Sequence, residues 1–235
     1  MNFIVTGASR GIGFETVLQL VELGTNKIIA LSRSKSGLSK LVEEGNQLNA
    51  NSRIYPLCFD LKNSDDSQLL QLINTEFNGT VDGLVNNAGT LINKPFAELS
   101  REDWQEVYDV NVFGVTSLIK SIKSFMGKEN KGHIVNISSM GGFQGTEKFS
   151  GLSAYSSSKG ALACLSECLA KEFEDDNIHV NCLALGAVQT EMLTQAFPDY
   201  TAPLSAKEMG TFIADFIVNG HKVMNGKVLP VAFKN

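Results

Sequence analysis

With 235 residues, 43% hydrophobic and 19% charged, the chain can bury one substantial core, and a single domain over 1–235 is expected. The net charge of −5, with no cluster of lysine or arginine, argues against nucleic acid or an anionic membrane as the main partner. Cys58, Cys164, Cys168 and Cys182 fall in apolar stretches without metal-ligand spacing, which predicts buried thiols in a reducing compartment and no metal site. The N-terminus enters Phe3-Ile4-Val5 at once, so neither signal peptide nor membrane span is expected, and the protein is expected in the cytoplasm.

In chain order, short β-branched runs alternate with longer helical patterns, the signature of a parallel sheet covered on both faces. The first strand is expected at Phe3–Thr6. Thr6-Gly7-Ala8-Ser9-Arg10-Gly11-Ile12-Gly13 follows it and opens a helix from about Ile12 to Leu23, with Gly24 as C-cap. A glycine turn between strand and helix lets the backbone approach a pyrophosphate, whose charge the free N–H groups and the helix dipole then hold. Further strands are expected at Lys27–Leu31, Arg53–Phe59, Asp82–Val85, His133–Ile137, Ile178–Ala184 and Lys227–Val231. Helices fit Ser36–Leu48, Ser64–Phe77, Arg101–Met126, Ser153–Glu174 and Ser205–Asn219. The sharpest loop signals are Gly141-Gly142 to Gly151 and Pro198 to Pro203.

Tyr155 and Lys159 are four apart on the fifth of these helices and so share a face. A phenol works as acid or base near neutrality only if its anion is stabilised by about three pKa units, roughly 4 kcal/mol. The neighbouring ammonium supplies part of that, and the helix start supplies more, with Ser153 as the N-cap candidate. Alone, such a pair also fits a solvated helix face.

Taken together, the motifs resemble the short-chain dehydrogenase/reductase family. They are the glycine turn Thr6–Gly13, Asp60 after the third strand, Asn86-Asn87-Ala88-Gly89 after the fourth, Asn111, Ser138-Ser139 after the fifth, and Tyr155 with Lys159. The resemblance covers nearly the whole chain and extends to small cytosolic NADPH-dependent carbonyl, benzil-type and sepiapterin-type reductases. It implies an α/β, Rossmann-type, doubly wound parallel sheet of about seven strands, a nicotinamide cofactor across the strands' carboxyl ends, and a small carbonyl or alcohol substrate.

It also implies roles. Tyr155 would exchange a proton with the substrate oxygen, Lys159 would lower the phenol pKa and bond the nicotinamide ribose, and Ser139, with Ser138 as the alternative, would hold the substrate oxygen. Asn111 would anchor a water relaying protons to Lys159. For the cofactor, Gly7, Ser9, Arg10, Gly11, Ile12 and Gly13 would form the phosphate turn, and Asp60 with Leu61 would meet the adenine. Asn87, Ala88 and Gly89 would pass under the adenosine ribose, while Ile137, Gly186, Val188 and Thr190 would surround the nicotinamide. Where the second strand ends, Ser32-Arg33 offers no carboxylate, and Arg33 with Arg10 predicts NADP(H).

Three departures from the family pattern stand out. Leu185 replaces the usual proline after the sixth strand, the Ser139-to-Tyr155 connection is longer by about Gln144–Phe149, and the tail Val231–Asn235 lacks the usual Asp-Gly-Gly-like end. The short lid Glu191–Leu204, with Met192, Leu193, Phe197, Tyr200 and Pro203, predicts an open or shallow pocket for compact aromatic or dicarbonyl compounds. Apolar residues beyond one stripe, such as Leu118, Ile119, Ile122, Ala161, Leu162, Leu165 and Leu169, predict a homodimer or homotetramer. A catalytically weak NADP(H)-sensing protein on the same fold is the alternative function.

Overall fold

The structure, a computed structural model, describes residues 1–63, 65–127, 129 and 131–233. The β-branched and aliphatic runs form β1 (Asn2–Thr6), β2 (Lys27–Ser32), β3 (Arg53–Cys58), β4 (Gly83–Asn86), β5 (Gly132–Ser139) and β6 (Ile178–Leu185). Two-residue strands β7 (Val188–Gln189) and β8 (Leu204–Ser205) pair with each other outside the main sheet, and β9 (Val228–Val231) closes its far edge. The seven-stranded sheet has the order β3-β2-β1-β4-β5-β6-β9 with every neighbour parallel. Strand order reverses at β1, which leaves a crevice beyond the carboxyl ends of β1 and β4.

Alternate strand residues go to opposite layers, as a period of two requires. Phe3, Val5, Ile28, Ala30, Val85 and Val135 pack with helices α1 (Gly11–Glu22), α2 (Lys35–Leu48) and α8 (Ala206–Asn219). Ile4, Ile29, Leu31, Leu84 and Ile134 face the other layer, built from α3 (Ser67–Glu76), α5 (Gly114–Ile122) and α6 (Ser153–Glu172). Both faces of the central strands are therefore covered, and the buried polar side chains among them are paired, as in Asn86 Nδ2 donating to Asn136 Oδ1 and Asn136 Nδ2 to Ser166 Oγ, each at 2.8 Å.

Several expectations are corrected. The helix expected over Arg101–Met126 is α4 (Arg101–Tyr108), a π-turn at Asp109–Phe113, α5, and a 3-10 turn at Lys123–Phe125. The π-turn carries one residue more per turn than the α-helices it joins, and Asn111 lies within it. Ser153 is the first helical residue of α6 and not its N-cap, because Ser156 N already donates to Leu152 O at 2.7 Å; the Ser153 hydroxyl is buried without a partner among the described residues. Cys58, Cys164 and Cys168 are exposed, and only Cys182 is buried. On α6 the inner positions belong to Leu162, Ser166 and Ala170, which turns Cys164 and Cys168 outward. Leu118, Ile119, Ile122 and Leu162 are buried in this chain's own core, so they carry no argument for a partner subunit. The expected helix start at Ser64 and the tail residues Lys234 and Asn235 lie outside the described residues.

Candidate active site

The floor of the crevice is set where β1 and β4 end. Thr6 Oγ1 accepts from Asn87 N at 3.0 Å and Ala88 N at 2.9 Å, while Asn87 Nδ2 donates to Thr6 O at 3.0 Å. Gly7 has φ +67, and a Cβ there would lie 2.9 Å from Ala88 Cα. A Cβ at Gly13 would lie 2.5 Å from Gly7 O, so the glycines hold strand, turn and helix in close contact. No side chain caps α1 at Arg10, which leaves the first-turn N–H groups of that helix for an anion. Ser32 Oγ donates to Ser9 Oγ at 2.7 Å, joining the end of β2 to the glycine turn, and Arg10 and Arg33 are exposed beside it. Asp60 Oδ1 accepts from Lys62 N at 3.1 Å, and Leu61 backs onto Gly114.

At the other end of the crevice, Tyr155 and Lys159 rise from the first turns of α6. The Lys159 Nζ is 5.9 Å from the Tyr155 ring centroid and donates to Ile137 O at 2.8 Å. Ser139 Oγ accepts from Gly141 N at 3.2 Å and lines the cleft beside Tyr155, whereas Ser138 is turned back to donate to Lys159 O at 2.8 Å. Asn111 clamps the loop segment following Gly89, with Oδ1 accepting from Thr90 N at 2.8 Å and Nδ2 donating to Thr90 O at 3.0 Å and Ser158 Oγ at 3.0 Å. Gly89 lies against both groups: a Cβ there would be 3.2 Å from Asn111 Oδ1 and 3.4 Å from Lys159 Nζ.

Burial decides the protonation of this pair. It pushes the Tyr155 phenol up, with the Ser139 hydrogen bond pulling the other way. It pulls the Lys159 ammonium down to about 8. The expectation of a lowered phenol is thus corrected, because burial raises it.

One cleft of about 940 Å³ joins the two ends. It is lined by all the predicted site residues except Gly13, packed behind the turn, and Asn111, covered by Thr90 and Ser158. Leu185 prolongs β6 opposite Ser139, a position where proline would lack the N–H of a strand residue. Thr190 is held as the N-cap of a short helix α7 (Glu191–Ala196), its Oγ1 accepting from Leu193 N at 3.3 Å. The lid is thus a helix pinned at its base by the β7–β8 pair and at its end by Asn93 Nδ2 donating to Ala196 O at 2.9 Å.

The chain's residues fit a dinucleotide: crowding would forbid side chains in the glycine turn, the start of α1 is uncapped, and the cleft is long enough to join it to Tyr155. The extra length at Gln144–Phe149 does reach the cleft, where Thr146, Glu147 and Phe149 line it; sequence reasoning missed Phe233, to which nothing in the sequence pointed. Among the described residues, no group of three or more His, Cys, Asp or Glu could hold a metal, and no helix is long and apolar enough to cross a membrane.

A family model for the short chain dehydrogenases matches residues 2–201. The chain is 32% identical over 197 residues to a 3-oxoacyl-[acyl-carrier-protein] reductase of Thermotoga maritima, covering 83% of this chain and 77% of that one. It is 34% identical over 192 residues to the L-xylulose reductase of Caenorhabditis elegans, covering 81% and 73%. A short chain dehydrogenase from Shigella flexneri, solved complexed with NADP, superposes with a TM-score of 0.86 at 26% identity, over 97% of this chain and 95% of that one. Another from Salmonella enterica gives 0.85 at 26% identity, over 97% and 94%. With the glycine turn, the Ser139–Tyr155–Lys159 group and the reversed sheet order in one crevice, the chain belongs to the short-chain dehydrogenase/reductase family of oxidoreductases.

Proposed function

We propose that this protein transfers a hydride between NADP(H) and the carbonyl or alcohol carbon of a small substrate, with Tyr155 as acid and base. The observation that carries this reading is the joining of two features by one cleft: a glycine turn at an uncapped helix start, flanked by Arg10 and Arg33, and a half-buried phenol beside Ser139. When bound, the cofactor supplies or accepts the hydride. The protein does the rest. Tyr155 gives its proton to the carbonyl oxygen, Ser139 donates a second hydrogen bond that holds that oxygen as charge develops, and Lys159 stays charged beside the phenol to stabilise its anion. Asn111 acts from behind, fixing Thr90 and Ser158 so that Lys159 keeps its place.

NADP(H) is favoured over NAD(H) because the end of β2 presents Ser32, Arg33 and Ser34 and no carboxylate. Charge-assisted bonds from Arg33 and Arg10 to a 2′-phosphate are worth about 1.5–3 kcal/mol each. The reading includes one dinucleotide-binding domain over 1–235, a small-molecule substrate, and a cytoplasmic setting consistent with four free thiols. It also includes a homodimer or homotetramer, supported by an aromatic run on α4 and its flanks in which Phe96 and Phe113 are exposed and Trp104 and Tyr108 half-buried.

The test is a panel of ketones, diketones, aldehydes and sugars followed by loss of reduced-cofactor absorbance with NADPH and with NADH. The expected result is turnover with NADPH at higher kcat/KM than with NADH, the preference falling about tenfold or more in Arg33→Ala. Equal efficiency with both cofactors, or an unchanged preference in the variant, contradicts the NADP assignment.

A further inference from the structure

We propose that the substrate carries a positively charged or N–H-rich group, seated between Glu147 and an aromatic rim at the mouth of the cleft. This deepens the reading just given and rests on it.

Glu147 belongs to the loop between β5 and α6 and lines the cleft. The loop is braced: the Thr146 hydroxyl bonds Met140 O, directly after Ser139, and Phe143 O at 2.9 Å. The cation next in sequence is taken up by the same brace, since Lys148 Nζ donates to Phe143 O at 2.6 Å and to Thr146 Oγ1 at 2.7 Å. Glu147 therefore lacks its nearest candidate counter-ion, and among the described residues it has no ion pair or hydrogen bond. The other cations of the cleft are engaged elsewhere or distant. Lys159 is buried and bonded to Ile137 O, and Arg10 and Arg33 flank the glycine turn. Of the other carboxylates lining the cleft, Asp60 accepts from Lys62 N, and Glu191 lies over Gly11.

The rim is the second, independent observation. Phe149 is 56% exposed, Tyr200 44% and Phe233 66%, and all three line this cleft although they come from three separate segments: the loop, the lid and the tail. Aromatic faces attract cations, and an unpaired carboxylate lining the same cleft, with the apolar Leu91, Leu152 and Met192, adds a local negative charge. Anionic groups are disfavoured by the same charge. Two chemistries at two ends of the substrate follow: a carbonyl or carbinol at Tyr155 and a cationic or donor-bearing group towards Glu147.

The test compares three ketones on the full chain with NADPH at low salt: para-aminomethyl acetophenone, acetophenone and para-acetyl benzoate. The expected kcat/KM ratio of ammonium to carboxylate compound is roughly tenfold or more, as a charge-assisted contact gives, and it shrinks with added salt. Glu147→Gln should bring the ratio towards one and Glu147→Lys should invert it, while Phe149→Ala should lower it in part. Reduction of all three ketones without charge preference, or a preference that survives in Glu147→Gln, overturns the inference and leaves the carbonyl-reductase reading standing. Failure to reduce any of the three overturns both.

Discussion

At the scale of single residues, the site is built around one phenol and one amine whose ordinary pKa values are both moved by burial. The Tyr155 phenol lies above its usual value and so holds its proton at neutral pH, the state needed to donate to a carbonyl oxygen. Lys159, pulled down to about 8, is still charged at neutrality but loses its proton just above it. Reduction should therefore show a kcat/KM that is flat below pH 8 and falls above it, as a neutral Lys159 no longer stabilises the phenolate, while alcohol oxidation, which needs the phenolate itself, rises only at still higher pH. Profiles measured in both directions check this; a reduction rate that climbs through the range contradicts it. The residues themselves were legible in the sequence because the chemistry fixes their types and spacing. Their contacts were not: that Lys159 reaches back to Ile137 O and that Ser138 faces away from the phenol depend on contacts between separate elements, and that Glu147 is left unpaired depends on the fold of its own loop.

At the scale of elements, strands were legible because each central run is apolar on both faces and bounded by turn residues, and the first helix because its apolar stripe and the glycine that follows it are local, although Leu23 and not Gly24 is its C-cap. Two elements were not. The π-turn at Asp109–Phe113 leaves no period that distinguishes it from a continuous helix, yet it is what brings Asn111 against Thr90. The lid helix α7 has six residues, too short for a periodic pattern. None of its residues is buried, and its anchors lie at its two ends, so it packs weakly on the sheet. Replacing Met192 and Phe197 by alanine should accordingly raise KM for aromatic ketones several-fold, with stability within about 0.5 kcal/mol of the parent. A lower melting temperature with an unchanged KM would assign these side chains to packing instead. Denaturant unfolding and steady-state kinetics on the same preparation separate the outcomes.

At the scale of the whole molecule, the two ends of the sheet have opposite characters. The carboxyl end carries the cleft, while the amino end carries three histidines in a row, with His133 and His221 centroids 5.4 Å apart and His221 and His179 6.1 Å apart. His133 Nδ1 donates to Ile217 O at 2.9 Å, and its Nε2 accepts from Asn181 Nδ2 at 3.0 Å, an arrangement only the neutral ring can make. Burial first, then His221 and His179, push it down from 6.5 to about 3. His221 is lowered too, by burial and by His179, Lys131 and Lys222. Because the unfolded chain takes up the proton first, stability is fully present above pH 6.5 and is lost as pH falls towards 3, by up to ~1.4 kcal/mol per pH unit for one group. His133→Asn, which keeps a donor for Ile217 O but cannot titrate, should show a shallower loss in urea unfolding across that range. An equal slope in parent and variant would remove His133 as the cause. None of this was visible in the sequence, where the three histidines lie in separate segments and only the parallel pairing of β5 with β6 brings His133 beside His179.

The central claim is that Tyr155 moves the proton while the rest of the cleft holds the cofactor, and its most direct test is Tyr155→Phe, with NADPH affinity and ketone turnover measured on the same variant. The substitution deletes the transferable proton and little of the shape, so affinity should stay within about twofold while kcat falls by ~10²-fold or more. A variant that binds NADPH normally and keeps more than about a tenth of the parent kcat would contradict the account.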